Sequence, residues 1–254
     1  MRAAAVIPAR GGSKEVPRKN LRPFCGKPLL YWSIKQALAA ESVDRVYVST
    51  EDDQIASVAE GYGASVIARP EELAGDDTPL DPVMVHAARQ IMPAPLAIVT
   101  LQPTCPIRRP GLIDECLAGL DFFCADSIFT VYEGAHFTWA AFAQARPASV
   151  PGVGGQAYRF VQPSSTGPRV NRQQIKEPHR VWLENGAVFA TMTGQLLSEK
   201  ARICGTSLAY EMDRWESLDI DSCADFAVAE ILYRYHEALW SAPAARLVNC
   251  HGHG

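Results

Sequence analysis

Two groups of residues in this sequence have types and spacings that suit phosphate chemistry. In the first, a predicted apolar strand over residues 3–7 leads into the run P-A-R-G-G-S-K-E-V-P-R-K-N-L. Gly11 and Gly12 would let backbone N–H groups approach an anion without interference from a Cβ atom. Cationic side chains neutralise phosphate oxygens, and the run supplies four: Arg10, Lys14, Arg18 and Lys19. The run predicts a polyphosphate site, although it matches neither the dinucleotide-binding fingerprint nor the P-loop.

The second group is an acidic pair, Asp219 and Asp221, within the run S-L-D-I-D-S. Residues two apart in a strand point to the same face, so the carboxylates would lie side by side while Ile220 faces the core. Such a pair repels itself unless a cation lies between, and acidic oxygen ligands suit Mg²⁺. The alternative is a structural role at the start of the next helix, with Asp221 or Ser222 as the N-cap and Asp225 at the positive end of the helix dipole.

Length and composition bound the classes of protein that could carry these groups. The 254 residues fit one large α/β domain, or such a domain with a small appendage. The net charge of −4 excludes a global basic field and predicts no nucleic-acid partner. The seven cysteines are scattered and include no C-x-x-C, which favours a reducing cytoplasm over a zinc site or a disulfide framework. No apolar stretch has transmembrane length and the N-terminus does not resemble a signal peptide, so we predict a cytoplasmic chain without membrane contact.

The periodicity of apolar residues predicts alternating strands and helices. Predicted strands cover residues 3–7, 45–49, 64–68, 96–101, 127–132, 187–191 and 217–220, and predicted helices cover 28–40, 52–62, 80–91, 111–120, 194–200 and 223–240. Repeated β-α-β units predict an α/β fold of three layers, Rossmann-like, with a mainly parallel sheet and helices on both faces.

Polar residues collect where four of the predicted strands end. Arg10 follows the first strand, residues 49–52 follow the second, Arg69 follows the third, and residues 102–104 follow the fourth. Ligands of parallel sheets bind beyond the carboxyl ends of the strands. The four polar loops therefore predict a pocket at one edge of the sheet, although each loop alone would be unremarkable.

Residues 143–177 interrupt the pattern, because they are rich in Pro, Gly, Ser and Gln and have weak periodicity. Long irregular segments inside a domain are usually functional or part of an interface. We therefore divide the chain into a main domain over residues 1–142 and 178–240, an excursion over 143–177 with short strands near 158–161, and a tail over 241–254.

Taken in order, the motifs resemble those of the acylneuraminate cytidylyltransferase family, also called CMP-sialic acid synthetases. The basic run is similar to the nucleotide loop of the family. The later matches are C-G-K-P-L-L, V-S-T-E-D, R-P-E-E-L-A, L-Q-P-T-C-P-I-R, N-R-Q-Q, N-G-A-V-F and D-I-D-S. The resemblance runs from about residue 3 to residue 235.

The resemblance implies a reaction and its participants. CMP would pass from CTP to the anomeric hydroxyl of a nine-carbon 2-keto sugar acid, with release of pyrophosphate and with Mg²⁺ as cofactor. The partners would be CTP, the sugar acid and a second copy of the chain. In such a homodimer the excursion would reach across to complete the sugar site of the other subunit.

The resemblance also implies a role for each matching residue. Nucleotide binding would fall to Arg10, Gly11, Gly12, Ser13, Lys19, Asn20 and Arg69. Sugar binding would fall to Gln102, Arg172, Gln173 and Asn185. Arg10 and Lys19 would stabilise charge on the triphosphate. Asp219 and Asp221 would hold Mg²⁺, and one of them would help to deprotonate the attacking hydroxyl.

Departures from the family pattern concern the sugar side. Residues 133–139 lack a lysine that many members have, and His136 and Trp139 stand there instead. Trp139 would wall a less polar part of the sugar. Phe189 replaces a tyrosine and lacks its hydroxyl. These changes admit sialic, legionaminic or pseudaminic acid as the acceptor. The alternatives are a nucleotidyltransferase that uses GTP, a sugar 1-phosphate or an octulosonic acid, and a non-catalytic nucleotide-binding subunit.

Overall fold

A computed structural model describes residues 2–13, 15–134, 140–141, 148–149, 156–157, 160–161 and 181–240. The chain divides into two compact units. The larger contains Met1–Tyr132 and Glu184–Gly254, and the smaller is Glu133–Leu183, which includes the predicted excursion. Within its described residues, the smaller unit has two antiparallel ladders, which pair Ala140–Ala141 with Phe160–Val161 and Ala148–Ser149 with Gln156–Ala157.

The main sheet has seven strands in the described part of the chain. They are β1 (Ala3–Pro8), β2 (Val43–Thr50), β3 (Ser65–Ala68), β4 (Ala97–Thr100), β5 (Ser127–Glu133), β6 (Trp182–Met192) and β7 (Ser207–Glu211). The helices are α1 (Leu29–Ala39), α2 (Asp53–Gly61), α3 (Leu80–Gln90), α4 (Leu112–Phe122), α5 (Thr193–Glu199) and α6 (Cys223–Trp240). Short 3-10 helices form at Lys19–Leu21 and Glu71–Leu73.

The strand order across the sheet is β7-β5-β6-β4-β1-β2-β3. β1 pairs in parallel with β2 and β4, β2 with β3, and β5 with β7, whereas β6 runs antiparallel to β4. This arrangement confirms the prediction of a mainly parallel α/β sheet. Parallel strands need crossover connections, which the helices supply, so the loops after β1, β2, β3 and β4 meet at one edge.

Alternating residues of β1 divide the core into two layers. Ala3, Ala5 and Ile7 pack in the cluster that includes α1, α2 and α4, while Ala4 and Val6 pack in the cluster that includes α3 and α5. Successive side chains of a strand point to opposite faces, so a strand buried on both faces must be apolar throughout. The predicted three-layer arrangement follows from that pattern.

A third apolar cluster holds α6 against α1. Phe24 packs edge-on against Phe226 and Tyr233, with ring centroids 5.6 Å apart in both pairs. The indole N–H of Trp32 donates to the Phe24 carbonyl at 2.8 Å. Ile220, directly before α6, is fully buried in the same cluster. The cluster therefore fixes residues 213–222, the acidic segment, relative to residues 9–22, the basic loop.

One predicted strand, 217–220, is wrong, and one observed strand, β7, was missed. Residues 214–217 form turns instead, with Glu216 N–H donating to the Asp213 carbonyl and Ser217 N–H to the Arg214 carbonyl. β7 takes the place beside β5, so the acidic segment has no strand neighbour among the described residues. The predicted alternation persists without a strand, because Ile220 is buried while Asp219 and Asp221 are exposed. No helix among the described residues is both long and apolar enough to cross a membrane.

Candidate active site

A cavity of about 680 Å³ opens at the carboxyl ends of β1, β3 and β4, and residues 49–52 after β2, which were also expected at the pocket, do not line it. It brings together seven of the predicted site residues: Arg10, Ser13, Lys19, Asn20, Arg69, Gln102 and Asp221. Acidic side chains also line it, from Glu15, Asp76 and Asp77. Residues from both ends of the chain therefore face one space, which the strand order had placed at this edge of the sheet.

Arg10 reaches into the cavity from the end of β1 and meets a carboxylate there. Its Nη1 lies 2.6 Å from Asp76 Oδ1, and both side chains are about one-third exposed. Asn20 holds the backbone beneath, since its Nδ2 donates to the Arg10 carbonyl at 2.9 Å. The guanidinium is thus aimed into the cavity and engaged with an anion of the protein.

The glycines of the basic loop differ in what their surroundings require. A Cβ on Gly11 would lie 2.5 Å from Asp52 Oδ2, whereas a Cβ on Gly12 would meet nothing within 4 Å. Gly11 N–H donates to Glu51 Oε1 at 2.6 Å. A backbone donor therefore faces a carboxylate at this position, and only Gly11 is required for close packing.

Lys19 joins the basic loop to the acidic segment. Its Nζ donates to the Ile220 carbonyl at 2.6 Å and lies 3.8 Å from Asp221 Oδ1. The Lys19 side chain is 15% exposed, whereas that of Asp221 is 76% exposed. A nearly buried cation is therefore held between the basic loop and the predicted metal ligands.

Arg69 lies at the wall of the cavity, after β3. Its side chain is 4% exposed, and its Nη2 donates to the Ser49 carbonyl at 2.6 Å. The Glu51 carboxylate is 3.9 Å from Nη1. Burial lowers the pKa of Arg69, and the negative charge of Glu51 opposes that shift. The guanidinium is fixed by β2, and Arg69 forms part of the cavity wall.

Gln102, at the end of β4, is packed closely against the turn at Gly186. A Cβ on Gly186 would lie 2.6 Å from Gln102 Nε2, and the backbone of Gly186 has φ +72°. Both the space and the left-handed conformation favour glycine there. The N-G-A run of the sequence therefore positions the Gln102 amide.

Asn185 lies in the core and is absent from the cavity lining. It is 4% exposed; its Oδ1 accepts from Thr130 Oγ1 at 2.6 Å and its Nδ2 donates to Ser217 Oγ at 2.8 Å. Its amide is therefore used to join β5, β6 and the acidic segment. The prediction of direct sugar contact at Asn185 stays a prediction, and its observed bonds are structural.

Asp219 and Asp221 carry the negative charge of the acidic segment. The pKa of Asp219 is raised mainly because the surrounding protein partly desolvates its carboxyl group, although the residue as a whole is exposed, and the nearby charge of Asp221 raises the pKa further. A hydrogen bond with Thr104 and the charge of Lys19 oppose the shift. Crowded carboxylates of this kind favour a divalent cation, so the donor set fits Mg²⁺.

The rest of a magnesium coordination shell would come from outside these two side chains. Within the described ranges, no group of three or more His, Cys, Asp or Glu side chains could hold a metal ion. Mg²⁺ commonly binds one or two carboxylates and completes its shell with water and substrate phosphates. Asp219 and Asp221 match that pattern.

Three predicted sugar-side residues lie outside the described residues: Trp139, Arg172 and Gln173. Sequence reasoning missed the acidic partners of the cations, Asp76 and Glu51. The D-D pair at the start of the segment D-D-T-P-L, directly before α3, was the available signal for Asp76.

Comparison with known proteins agrees with this geometry. The family model for cytidylyltransferase matches residues 4–120. N-acylneuraminate cytidylyltransferase of Escherichia coli O18:K1:H7 is 33% identical over 89% of this chain and 50% of its own length. Pseudaminic acid cytidylyltransferase of Campylobacter jejuni is 26% identical over 94% of this chain and 99% of its own length. The chain spans about half the length of the E. coli relative.

Solved structures share the fold at lower identity. A CMP:2-keto-3-deoxy-manno-octonic acid synthetase complexed with CTP aligns with a TM-score of 0.66 at 17% identity, covering 93% of this chain and all of the other. A 4-diphosphocytidyl-2C-methyl-D-erythritol synthase from Anaerococcus prevotii aligns with a TM-score of 0.61 at 11% identity, covering 93% of this chain and 96% of the other. Together with the motifs of the cavity, the sequence matches show that the chain is similar to cytidylyltransferases, including those for N-acylneuraminate and pseudaminic acid.

Proposed function

We propose that this protein transfers CMP from CTP to the anomeric hydroxyl of a nine-carbon 2-keto sugar acid, with Mg²⁺ and with release of pyrophosphate. The observation that carries the proposal is the cavity in which Lys19 links the basic loop to Asp221 and to the Ile220 carbonyl, next to Asp219. A triphosphate needs cations on one side, and an attacking hydroxyl needs a proton acceptor on the other.

The names of the relatives support the acceptor class. They include enzymes for N-acylneuraminate, pseudaminic acid and N,N'-diacetyllegionaminic acid, the last being 41% identical over 44% of this chain and 50% of its own length. All three acceptors belong to the sialic, legionaminic or pseudaminic acid type. We extend that class of substrate to this chain.

On the nucleotide side, the chain would work by positioning and charge neutralisation. Arg10 would exchange Asp76 for a phosphate oxygen, and Lys19 would stabilise negative charge that develops as pyrophosphate leaves. Ser13 and the Gly11–Gly12 backbone would lie along the triphosphate once the Gly11 N–H leaves Glu51 Oε1, with Asn20 holding the loop beneath Arg10. Arg69 would fix the nucleoside at the wall of the cavity.

On the acidic side, Asp219 and Asp221 would hold Mg²⁺, consistent with their crowded negative charge. When bound, Mg²⁺ neutralises phosphate charge and lowers the pKa of a coordinated hydroxyl. One of the two carboxylates would help to deprotonate the sugar hydroxyl. Gln102 would orient the sugar beside these groups.

The wider setting forms part of the same proposal. We infer a cytoplasmic homodimer in which Trp139, Arg172 and Gln173 meet the sugar. The cysteines of the described residues are free, which suits a reducing compartment. Sedimentation equilibrium would contradict the dimer if it returned the mass of a single chain.

The decisive experiment measures pyrophosphate release with Mg²⁺ for CTP, GTP, UTP and ATP against sugar acids and sugar 1-phosphates. Release with CTP and one nine-carbon acid would support the proposal and identify the acceptor. Release only with GTP, a sugar 1-phosphate or an octulosonic acid would replace it by another nucleotidyltransferase. Absence of release from every pair, with CTP binding retained in calorimetry, would favour a non-catalytic nucleotide-binding subunit. EDTA is the control for metal dependence.

A further inference from the structure

Arg108 is a buried cation at the base of the active-site loop, away from the cavity. It is 2% exposed, and it heads the largest fully buried side chains of the described residues. Burial lowers the pKa of Arg108 to about 10, so the guanidinium remains charged at neutral pH. Burying a charged group costs free energy unless hydrogen bonds compensate for the lost water. The contacts of Arg108 should therefore explain why a charged group lies there.

The contacts of Arg108 join two elements, β6 and α1, to one loop. Its Nε donates to the Ala187 carbonyl of β6 at 2.7 Å, and its Nη1 donates to Gln36 Oε1 of α1 at 2.8 Å and to Ser33 Oγ at 3.2 Å. Its Nη2 donates to the Gln102 carbonyl at 2.6 Å. These four bonds use neutral acceptors, so geometry rather than an ion pair holds the guanidinium.

We call residues 101–108 the Gln102 loop. Its other contacts are with α1 and with the acidic segment. Gln36 Nε2 donates to the Pro106 carbonyl at 2.8 Å, which adds a second grip from α1. Ile220 N–H donates to the Thr104 carbonyl at 2.9 Å, and Cys105 Sγ lies 3.7 Å from Asp219 Oδ1. The loop thus places Gln102 at the cavity, and its residues Thr104 and Cys105 contact the acidic segment.

We propose that Arg108 is a positioning residue that fixes the Gln102 loop, and through it sets the positions of both the Gln102 amide and the Asp219–Asp221 pair. The inference rests on the proposed function for its catalytic consequence only. Arg108 touches no cavity group with its own side chain apart from the Gln102 backbone, so its loss changes geometry rather than charge at the reaction centre. Misplacement of about 1 Å costs about a hundredfold in rate when orientation limits a reaction.

The test compares Arg108→Met with a variant that loses stability elsewhere. Leu196→Ala removes a fully buried side chain from the cluster on the α3–α5 face and is the matched control. We expect Arg108→Met to lower kcat about a hundredfold while the KM for CTP changes less than about threefold. At a temperature where the two variants are equally stable, we expect the kcat of Leu196→Ala to stay near that of wild type. Equal kcat for the two variants at matched stability would overturn the proposal.

Hydrogen–deuterium exchange provides an arm that needs no turnover. We expect Arg108→Met to speed exchange in residues 101–107 and also in 217–222, while α3 stays protected. Unchanged exchange in residues 217–222 would overturn the coupling to the acidic pair. If wild type itself turned over no substrate, the proposed function would fail while this arm still decided the role of Arg108.

Milder variants keep the test open if Arg108→Met does not fold. Ser33→Ala and Gln36→Leu weaken the same grip from α1 while leaving the guanidinium in place. We expect the kcat of Gln36→Leu to fall more than that of Ser33→Ala, because Gln36 also bonds the Pro106 carbonyl. The reverse order would contradict the proposed grip on the loop.

Discussion

The basic loop after β1 and the acidic segment before α6 reach the same cavity from opposite ends of the chain. In the basic loop, cations are matched with carboxylates of the protein: Arg10 with Asp76 at 2.6 Å, and Arg18 with Asp52 at 2.6 Å. The acidic segment is anchored mainly through its backbone instead. Its backbone at Ile220 donates to the Thr104 carbonyl and accepts from Lys19.

The difference shows how each side would meet a ligand. The cations of the basic loop are compensated in advance, so a phosphate must displace an existing partner. The carboxylates of the acidic segment are crowded, with Asp221 raising the pKa of Asp219, so a cation relieves an existing repulsion. Substitutions in the acidic segment should therefore cost more activity than those in the basic loop. Removing a carboxylate that pairs with a cation of the basic loop should raise the affinity for CTP.

The largest expected effect comes from Asp221→Ala. Loss of one of two proposed magnesium ligands should lower Mg²⁺-dependent kcat by more than about a thousandfold, beyond the loss of a single electrostatic donor. The fold should survive, because the Asp221 side chain is 76% exposed, an ion pair to so exposed a carboxylate contributes at most about 1 kcal/mol, and Lys19 keeps its bond to the Ile220 carbonyl. Turnover assays measure kcat, and circular dichroism checks the fold. Asp213→Asn is the control in the same segment. Full activity of Asp221→Ala would contradict the metal assignment.

Lys19→Ala should have the next largest effect. Loss of its ammonium should lower kcat about a hundredfold with a smaller change in the KM for CTP, since the charge matters most as pyrophosphate leaves. Lys35→Ala is the control, because Lys35 pairs with Glu237 on α1 and α6 instead. A rise in KM alone would make Lys19 a ground-state binder, and would weaken its proposed place between the two regions.

Glu216→Gln tests, through pH, how burial disfavours a charged carboxylate in the acidic segment. Desolvation is the main cause that raises the pKa of Glu216 to about 7, and Asp213 adds to it. A carboxyl with a raised folded pKa destabilises the fold as pH rises from its unfolded pKa through its folded pKa. Between about pH 5 and about pH 8, wild type should lose about 2 kcal/mol relative to Glu216→Gln. Urea unfolding at each pH measures the free energy of unfolding. Parallel changes with pH in the two proteins would show that burial does not disfavour the charged form of Glu216.

The smallest expected effect is a gain of affinity from Asp76→Asn. Release of Arg10 from its carboxylate should tighten CTP binding about two- to fivefold, the range expected of a partly exposed ion pair. Calorimetry with CTP measures it. Asp77→Asn removes the same charge from the next residue of the cavity wall and controls for the general field. Equal gains in both variants would mean that the Arg10–Asp76 pair imposes no specific competition.

Sequence alone predicted much of the site because strand ends in a parallel sheet must meet. The predicted helices lie within about two residues of α1 to α6, and Arg10, Arg69 and Gln102 were each placed after the correct strand. Sequence failed at residues 217–220, where apolar and acidic alternation imitates a strand. Burial of Ile220 alone produces that alternation, and no sheet neighbour is needed for it.

The amino-acid sequence by itself determined the parallel α/β layers, the phosphate-binding run and the acidic pair, because these depend on local periodicity and residue type. Only the tertiary structure decided which groups meet across long sequence separations. Lys19 lies beside Ile220 and Asp221. Arg108 bonds both the Gln102 carbonyl and β6. The Asn185 amide is hydrogen-bonded inside the core. Such contacts depend on the three-dimensional distances between side chains, which no spacing along the chain encodes.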